Sequence, residues 1–189
     1  MPDGGGAVFE IRNYRDADER GWLLCRLLSF YDTDYYDDVK TSKTQFTNPH
    51  LAFVVEDDDG IVGLIDVEVA GNAATIDSIA VHPSAQRRGL ASALLAHVLA
   101  RLPENVETLD AWTRETPSAN AWYQEAGFRE VHRYLHVYVH RDDPQDAFET
   151  PPETSKLLGA FLHSSIENEA AMRSTFKRVY TCRQYLMDV

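Results

Sequence analysis

The spacing of apolar residues divides the chain into short strands and helices. Alternation of apolar and polar positions predicts a strand, and apolar positions three and four residues apart predict a helix. The predicted strands cover residues 8–14, 51–56, 61–70, 74–81, 106–113, 128–140 and 178–187. The predicted helices cover residues 16–30, 39–46, 90–102, 117–126 and 156–172. Because strands and helices interleave along the chain, we expect a mixed α/β domain.

The predicted elements follow one another without a long linker or an internal repeat. Residues 1–7 are expected to form a flexible N-terminal tail, and residues 8–189 are expected to form a single domain. A chain of 189 residues falls within the usual range for one domain. Residues 141–177 hold a proline-rich loop and a predicted helix between the last two strands, and we expect them to pack beside a substrate cleft or to form a dimer contact.

Charge and composition exclude several classes of partner. Acidic residues number 30 against 18 Lys and Arg, which gives a formal net charge of −12. This excess argues against nucleic acid and against anionic membranes, because both require a concentrated basic face. Lysine is scarce, and an acidic, lysine-poor chain favours a protein of a salt-loving organism over an ordinary acidic cytosolic protein. No apolar run reaches the roughly 18–20 residues of a membrane helix, and the first residues lack the features of a signal peptide. We therefore expect a cytoplasmic protein.

The turn before the leucine-rich helix is the strongest candidate for a binding site. Gln86-Arg87-Arg88-Gly89-Leu90-Ala91 leads from a strand directly into that helix. The first amides of a helix have no partner within the helix and carry partial positive charge, so they bind anions. Gly89 and Ala91 are small enough to let a ligand approach the backbone, and the two arginines add charge. The pattern therefore predicts a pyrophosphate site.

The same residues carry a resemblance to a known family. Gln86-x-x-Gly89-x-Ala91, preceded by the strand end at residues 79–83 (IAVHP), resembles the acetyl-CoA-binding motif of the GNAT superfamily of N-acetyltransferases. The resemblance covers roughly residues 8–140 together with the last strand, and it implies a mixed, mostly antiparallel central sheet of about seven strands flanked by helices. The helical insertion at residues 141–177, before the last strand, departs from the family pattern. It also implies acetyl-CoA as co-substrate, with the pantetheine arm between two splayed strands at 74–81 and 106–113. The cofactor-binding residues that it implies are Ile79, Ala80, Val81, Gln86, Arg87, Arg88, Gly89, Leu90, Ala91, Ser92, Asn120 and Tyr123.

A second segment resembles another region of the same family. Residues 120–128 (NAWYQEAGF) look like the family's Asn…Tyr-x-x-x-Gly-Phe region with a shortened spacing. Asn120 and Tyr123 are three residues apart, which places them on one face of a helix. In the family a tyrosine at the position of Tyr123 often protonates the departing CoA thiolate. The alternative is that Tyr123 is an ordinary aromatic core residue.

The general base is less specified by the sequence. Asp77 lies on the same face of its strand as Ile79 and is the first candidate, acting directly or by positioning a water. Glu68 is the second candidate and Glu115 the third. The alternative for Asp77 is a structural, hydrogen-bonded carboxylate.

Three other patterns do not support a site. His132, His136 and His140 lie on a predicted strand, where residues four apart are about 13 Å apart and cannot share a metal ion. The acidic run at residues 32–38 lacks the glycine and glutamate of a calcium loop, although it could attract a cationic amine. Cys25 and Cys182 have no assignable histidine partner for covalent catalysis. No metal site is expected.

These observations favour an N-acetyltransferase. We expect transfer of an acetyl group from acetyl-CoA to a primary amine of a small molecule or peptide, by direct attack in a ternary complex. Two alternatives stay open at this point: a non-catalytic acyl-CoA-binding sensor or partner module, and an enzyme that uses a hydroxyl acceptor or a longer acyl donor. The sequence leaves the acceptor unidentified and a homodimer open.

Overall fold

The computed structural model describes residues 10–58 and 60–189, so the predicted tail at 1–7 lies outside the described residues. The strands are β1 (Ile11–Asn13), β2 (His50–Asp57), β3 (Gly60–Ala70), β4 (Ala73–Val81), β5 (Thr108–Thr113), β6 (Arg129–His140), β7 (Gly159–Ser164) and β8 (Arg178–Asp188). The helices are α1 (Glu19–Phe30), α2 (Leu90–Leu99), α3 (Pro117–Glu125) and α4 (Glu169–Thr175). The mixed α/β class with flanking helices is confirmed, and eight strands replace the seven expected.

The chain forms two compact units. Unit 1 contains residues up to Ala111 together with Leu186–Val189, and unit 2 contains Trp112–Tyr185. The boundary falls within β5 and within β8. Among the described residues no helix is long and apolar enough to cross a membrane.

Unit 1 is a meander of antiparallel strands with one parallel addition. The strand order is β1-β2-β3-β4-β5, where only the β4–β5 pair is parallel. The core on the α1 side of this sheet combines helix and strand residues: Trp22, Cys25, Val54, Leu64 and Ala80. On β3, a Cβ at Gly63 would lie 2.8 Å from the Leu90 side chain, so the glycine allows α2 to pack directly on the sheet.

Unit 2 is built on β6 and its neighbours, in the order β8-β6-β7. β6 and β7 are antiparallel, with Leu135 opposite Ser164 and His140 opposite Gly159. Leu135, Val137 and Val179 form a buried cluster, against which Ile166, Met172 and Phe176 pack. Residues 165–176 therefore contribute apolar side chains to the core of this unit.

Two predicted helices are wrong. Residues 39–46 contain no helix; they form an irregular segment in which the Lys43 side chain pairs with Asp66 of β3 and the Lys43 backbone N–H donates to Glu19 of α1. Residues 156–172 contain β7 and only the start of the short helix α4. Phe161 and His163 alternate toward the aromatic residues of β6, with ring centroids 4.9 and 5.1 Å from that of His136, and this pairing favours a strand.

Candidate acyl-coenzyme A site

The turn into α2 has the backbone conformation of an anion-binding site. Arg87 has φ 60° and Gly89 has φ 80°, so two left-handed residues lie within three positions. Such alternation turns successive N–H groups toward one side of the chain. Gly89 is the N-cap of α2 and has no side chain with which to cap the helix. Residues 86–89 are exposed, and a Cβ at Gly89 would meet nothing within 4 Å, so the turn is open to a ligand.

β4 extends beyond its pairing with β5. The last parallel pair joins Ile76 to Ala111, whereas β4 continues to Val81. His82 N donates to Val62 O on β3 at 2.9 Å. Because alternate residues of a strand direct their N–H and C=O groups to opposite edges, those of Val81 and Ile79 point away from β3. This is the geometry that a strand-like ligand needs.

The other predicted cofactor residues of unit 1 have mixed environments. Gln86 Nε2 donates to Val81 O at 3.1 Å and holds the end of β4. Ala80 pairs with Leu64, and its side chain belongs to the core cluster of Trp22. The Leu90 side chain is buried, so it offers a ligand only its amide. The backbone rather than the side chains carries the candidate site.

Asp77 lies at a bulge in β4. Its neighbours Ile76 and Ser78 pair with consecutive residues of β3, so Asp77 has no partner there. Its carboxylate Oδ2 accepts hydrogen bonds from Thr44 Oγ1 at 3.0 Å and from Ser78 Oγ at 3.0 Å, and Lys40 Nζ lies 3.3 Å away. The Asp77 side chain is 26% exposed. The residue is reachable from solvent and already pairs with a primary ammonium.

Asn120 and Tyr123 do lie on one face of α3, as predicted. Both contact Tyr185, whose hydroxyl donates to Asn120 Oδ1 at 2.9 Å and whose ring stacks on that of Tyr123 at 5.2 Å. Asn120 Nδ2 donates to the carbonyls of Arg114 and Thr116 at 2.7 and 2.9 Å. Asn120 therefore ties the start of α3 to β8.

Tyr123 is a buried aromatic residue of unit 2. It is 5% exposed and meets Phe128 edge-to-face at 5.3 Å. The core-residue alternative therefore describes the ring correctly. The acid role concerns the hydroxyl group and stays a prediction.

The remaining base candidates are engaged in polar contacts. Glu68 Oε1 accepts from the backbone N–H and the side-chain amide of Asn48, at 3.3 and 3.0 Å. Glu115 Oε1 lies 2.5 Å from the Arg173 guanidinium of α4. Helix α4 thus contacts the loop before α3, within unit 2.

A buried charge pair in unit 1 was not foreseen from the sequence. Lys43 and Asp66 are 5% and 1% exposed, and Lys43 Nζ lies 2.8 Å from Asp66 Oδ1. Trp22 Nε1 donates to Asp66 Oδ2 at 2.8 Å. Burial raises the pKa of Asp66, an effect that the hydrogen bond from Lys43 opposes. The rings of Tyr14, Trp22 and Phe46 lie 4.8, 5.7 and 5.0 Å from the ammonium. A lysine flanked by polar residues carries no sequence signal for such burial.

A buried polar chain in unit 2 was also missed. Arg114 Nε donates to His136 Nδ1 at 3.2 Å, so the neutral imidazole carries its proton on Nε2, which lies 2.9 Å from the Tyr134 hydroxyl. Burial and the charge of Arg114 lower the pKa of His136 to about 4. Burial and the neighbouring Cys182 raise the pKa of Tyr134 to about 12.

A cavity of about 650 Å³ opens beside this chain of residues. Tyr134, His132 and His163 supply rings to its wall, and Glu130 and Glu167 supply carboxylates. Glu130 also pairs with Arg133 at 2.7 Å. Within the described residues no group of three or more His, Cys, Asp or Glu side chains has the arrangement to hold a metal ion.

The cysteines are not activated. Burial raises the pKa of Cys25 to about 11 and raises that of Cys182 as well. Both thiols are therefore protonated at neutral pH and unsuited to nucleophilic attack.

Comparisons with known proteins agree with this geometry. Residues 48–130 match the family model of the acetyltransferase (GNAT) domain. No curated protein sequence matches the chain. The fold is similar to that of the ribosomal-protein-S18-alanine N-acetyltransferase from Escherichia coli, with 17% identity and a TM-score of 0.59 over 96% of this chain and 94% of that one.

Two further structures have the same fold. Arabidopsis thaliana NAA60, in complex with a bisubstrate analogue, is 11% identical with a TM-score of 0.60, over 96% of this chain and 98% of that one. A GNAT family acetyltransferase from Elizabethkingia anophelis with acetyl-CoA bound is 14% identical with a TM-score of 0.55, over 97% and 99% of the two chains.

The fold is that of GNAT acetyltransferases, and the open turn before α2 lies within the segment that matches the acetyltransferase (GNAT) domain. The family match covers residues 48–130, and the likeness to the solved structures concerns the fold.

Proposed function

We propose that the protein transfers the acetyl group of acetyl-CoA to a primary amine of a small molecule or peptide by direct attack in a ternary complex. The observation that carries the proposal is the exposed turn into α2, with a glycine at the N-cap and with left-handed Arg87 and Gly89. It supports binding of the CoA pyrophosphate to the amides of residues 87–92, since helix N-termini attract anions. The guanidinium groups of Arg87 and Arg88 add positive charge in an otherwise acidic chain.

The pantetheine arm is proposed to lie along the free edge of β4. Ile79 and Val81 direct their backbone groups away from β3, and pairing with β5 has already ended at Ile76. A ligand that adds to a sheet edge uses these groups as another strand would. The Gln86 side-chain amide already donates a hydrogen bond to Val81 O. We therefore expect this side chain to move, or to share that carbonyl with the ligand, when the ligand binds.

Acyl transfer requires an uncharged amine and a proton for the departing thiolate. We assign the first task to Asp77, which takes a proton from the incoming ammonium directly or through a water. Its exposure and its bound ammonium group support this assignment. We assign the second task to Tyr123, which occupies the position of the family's tyrosine, because a phenol hydroxyl can donate a proton to a departing thiolate.

The direct test measures thiol release from acetyl-CoA with a panel of primary amines, alcohols and N-terminal peptides. The expected result is release that depends on a primary amine, with the acetylated amine found by mass spectrometry. Thiol release with alcohols alone would show that the acceptor is a hydroxyl group rather than an amine. Saturable binding of acetyl-CoA without release for any acceptor would support the sensor alternative instead.

A further inference from the structure

The segment that carries Lys40 is anchored by a buried lysine. Residues 40–46 have no regular structure, but the side chain of Lys43, within this segment, is buried. Its ammonium group contacts Asp66 and lies among three aromatic rings. The Lys43 backbone N–H also donates to Glu19 Oε1 at 2.9 Å. Because breaking a buried charge pair leaves an uncompensated charge, such a pair fixes a segment more firmly than exposed contacts do. The backbone that carries Lys40 is therefore fixed in position near β4.

The anchored segment presents a primary amine to the proposed base. Lys40 Nζ lies 3.3 Å from Asp77 Oδ2 and 2.5 Å from Thr44 Oγ1, and Thr44 also bonds Asp77. A carboxylate and a hydroxyl thus hold the ammonium from two sides. The Lys40 side chain is 25% exposed, so a reagent can reach it.

Asp77 places this amine beside the segment of β4 proposed to bind the acyl donor. Asp77 is the first residue after the last β4–β5 pair, and Ile79 follows on the same side of the strand. An acceptor amine must form this same contact with the base before it attacks. Lys40 therefore occupies the position that the proposed mechanism reserves for the substrate amine.

We propose that Lys40 is a site of intramolecular acetylation, in which the protein acetylates its own Nζ from bound acetyl-CoA; the inference rests on the proposed function. Asp77 accepts a proton from the Lys40 ammonium, and the nitrogen lone pair attacks the thioester carbonyl carbon. The new C–N bond forms as the C–S bond breaks. CoA leaves as a thiolate and gains a proton, and Asp77 returns its proton to solvent. The products are Nε-acetyl-Lys40 and free CoA.

The chain offers built-in controls because it contains only four lysines. Lys43 is buried on Asp66 and is expected to stay unmodified. Lys156 and Lys177 measure the uncatalysed reaction of acetyl-CoA with lysine amines. The experiment incubates the full chain with acetyl-CoA without added amine and follows the acetylation of each lysine by peptide mass spectrometry.

We expect Lys40 to be acetylated at least about tenfold faster than Lys156 or Lys177, with a rate independent of protein concentration. Asp77→Asn is expected to lower the Lys40 rate by about tenfold or more, since a general base contributes about 10²–10⁴-fold. Gly89→Glu is expected to reduce Lys40 to the background rate and leave Lys156 and Lys177 unchanged. Lys40→Arg should abolish the specific mark, whereas Lys177→Arg, the matched control, should leave the Lys40 rate unchanged.

The outcomes separate this inference from the proposed function. If the protein acetylates added amines while Lys40 reacts no faster than Lys156, the inference is overturned and the function stands. A Lys40 rate that rises with protein concentration overturns the intramolecular route. Failure to bind acetyl-CoA, measured by calorimetry, overturns both.

Discussion

At Gly89 the backbone conformation and the proposed chemistry require the same residue. A positive φ of 80° strains any residue with a side chain, and the exposed amides around it are the proposed pyrophosphate contacts. Gly71, in the turn between β3 and β4, also has a positive φ (66°), and a Cβ there would likewise meet nothing within 4 Å. A substitution at Gly71 introduces backbone strain alone, whereas the same substitution at Gly89 introduces strain and also alters the proposed phosphate site.

Gly89→Glu is expected to weaken acetyl-CoA binding by at least about 100-fold, or about 2.7 kcal/mol, because a carboxylate would fill and repel the phosphate position. Gly71→Glu is expected to leave binding unchanged. Both substitutions should lower the free energy of unfolding by about 1–2 kcal/mol, the cost of a left-handed non-glycine residue. Calorimetric titration and chemical denaturation measure the two quantities. Equal binding by both variants would exclude the turn as the phosphate site.

Tyr123→Phe tests the acid without disturbing the aromatic cluster. Phenylalanine keeps the stack on Tyr185 and the contact with Phe128, so acetyl-CoA binding is expected to stay within about twofold. Turnover is expected to fall about 10²–10⁴-fold, the usual range for a general acid. Tyr180→Phe, which removes another partly buried hydroxyl of unit 2, is the matched control and should keep normal turnover. Unchanged turnover in Tyr123→Phe would remove Tyr123 from the mechanism.

His136 makes stability depend on pH. Its folded-state pKa of about 4 lies below the usual 6.5, so below pH 6.5 the unfolded chain binds a proton that the folded chain excludes. Titration of His136 leaves the free energy of unfolding unchanged above about pH 7.5 and lowers it as the pH drops toward about 4. The expected loss between about pH 8 and about pH 5 from this group is about 2 kcal/mol.

Denaturation of the wild type and of His136→Phe at both pH values measures this contribution as a difference. The variant is expected to lose about 2 kcal/mol less than the wild type over this range. His132→Phe, at an exposed histidine of the same strand, is the control and should follow the wild type. An identical pH dependence for wild type and His136→Phe would contradict the buried neutral imidazole.

At the scale of elements, side-chain contacts overrule local patterns. Helix α1 buries Trp22, Cys25 and Arg26, while Leu24 and Leu28 are exposed. Arg26 is buried because it pairs with Asp38 at 2.8 Å and lies over the Phe30 ring. The apolar residues of α1 predicted a helix correctly but did not predict which face is buried.

The Lys43–Asp66 pair is expected to hold the segment between α1 and β2 onto β3. Lys43→Met or Asp66→Asn alone should cost about 3–5 kcal/mol of unfolding free energy, because each alters a buried pair by removing one charge. The double variant should cost less than the sum, since the charges are removed together. Lys40→Met, at the partly exposed pair with Asp77, is the control and should cost less than about 1 kcal/mol. Additive costs would show that the two charges do not act as a pair.

At the scale of the molecule, the charge of −12 implies self-repulsion in the folded state. Added salt shortens the range of this repulsion, to about 3 Å at 1 M ionic strength. The melting temperature is therefore expected to rise between about 0.05 M and about 1 M sodium chloride. Thermal denaturation monitored by circular dichroism measures it. A melting temperature that falls or stays constant would argue against a salt-adapted surface.

The sequence by itself determined most elements and the backbone part of the candidate site. Leu90 to Leu99, Gly89 and the strand ending at Val81 have strong local signals, because helix periodicity, strand alternation and glycine at a left-handed turn depend on neighbouring residues. The family match and the fold agree with what these residues predicted.

Tertiary structure alone decided the rest. The burial of Lys43 on Asp66, the contact of Arg114 with His136, and the contacts of Asp77 with Thr44 and Lys40 join residues between 22 and 37 positions apart. β7 forms where Phe161 and His163 meet the rings of β6, although the local pattern there predicts a helix. Such contacts depend on which surfaces meet after folding, and long-range pairing overrides the weak local preferences of polar and aromatic segments.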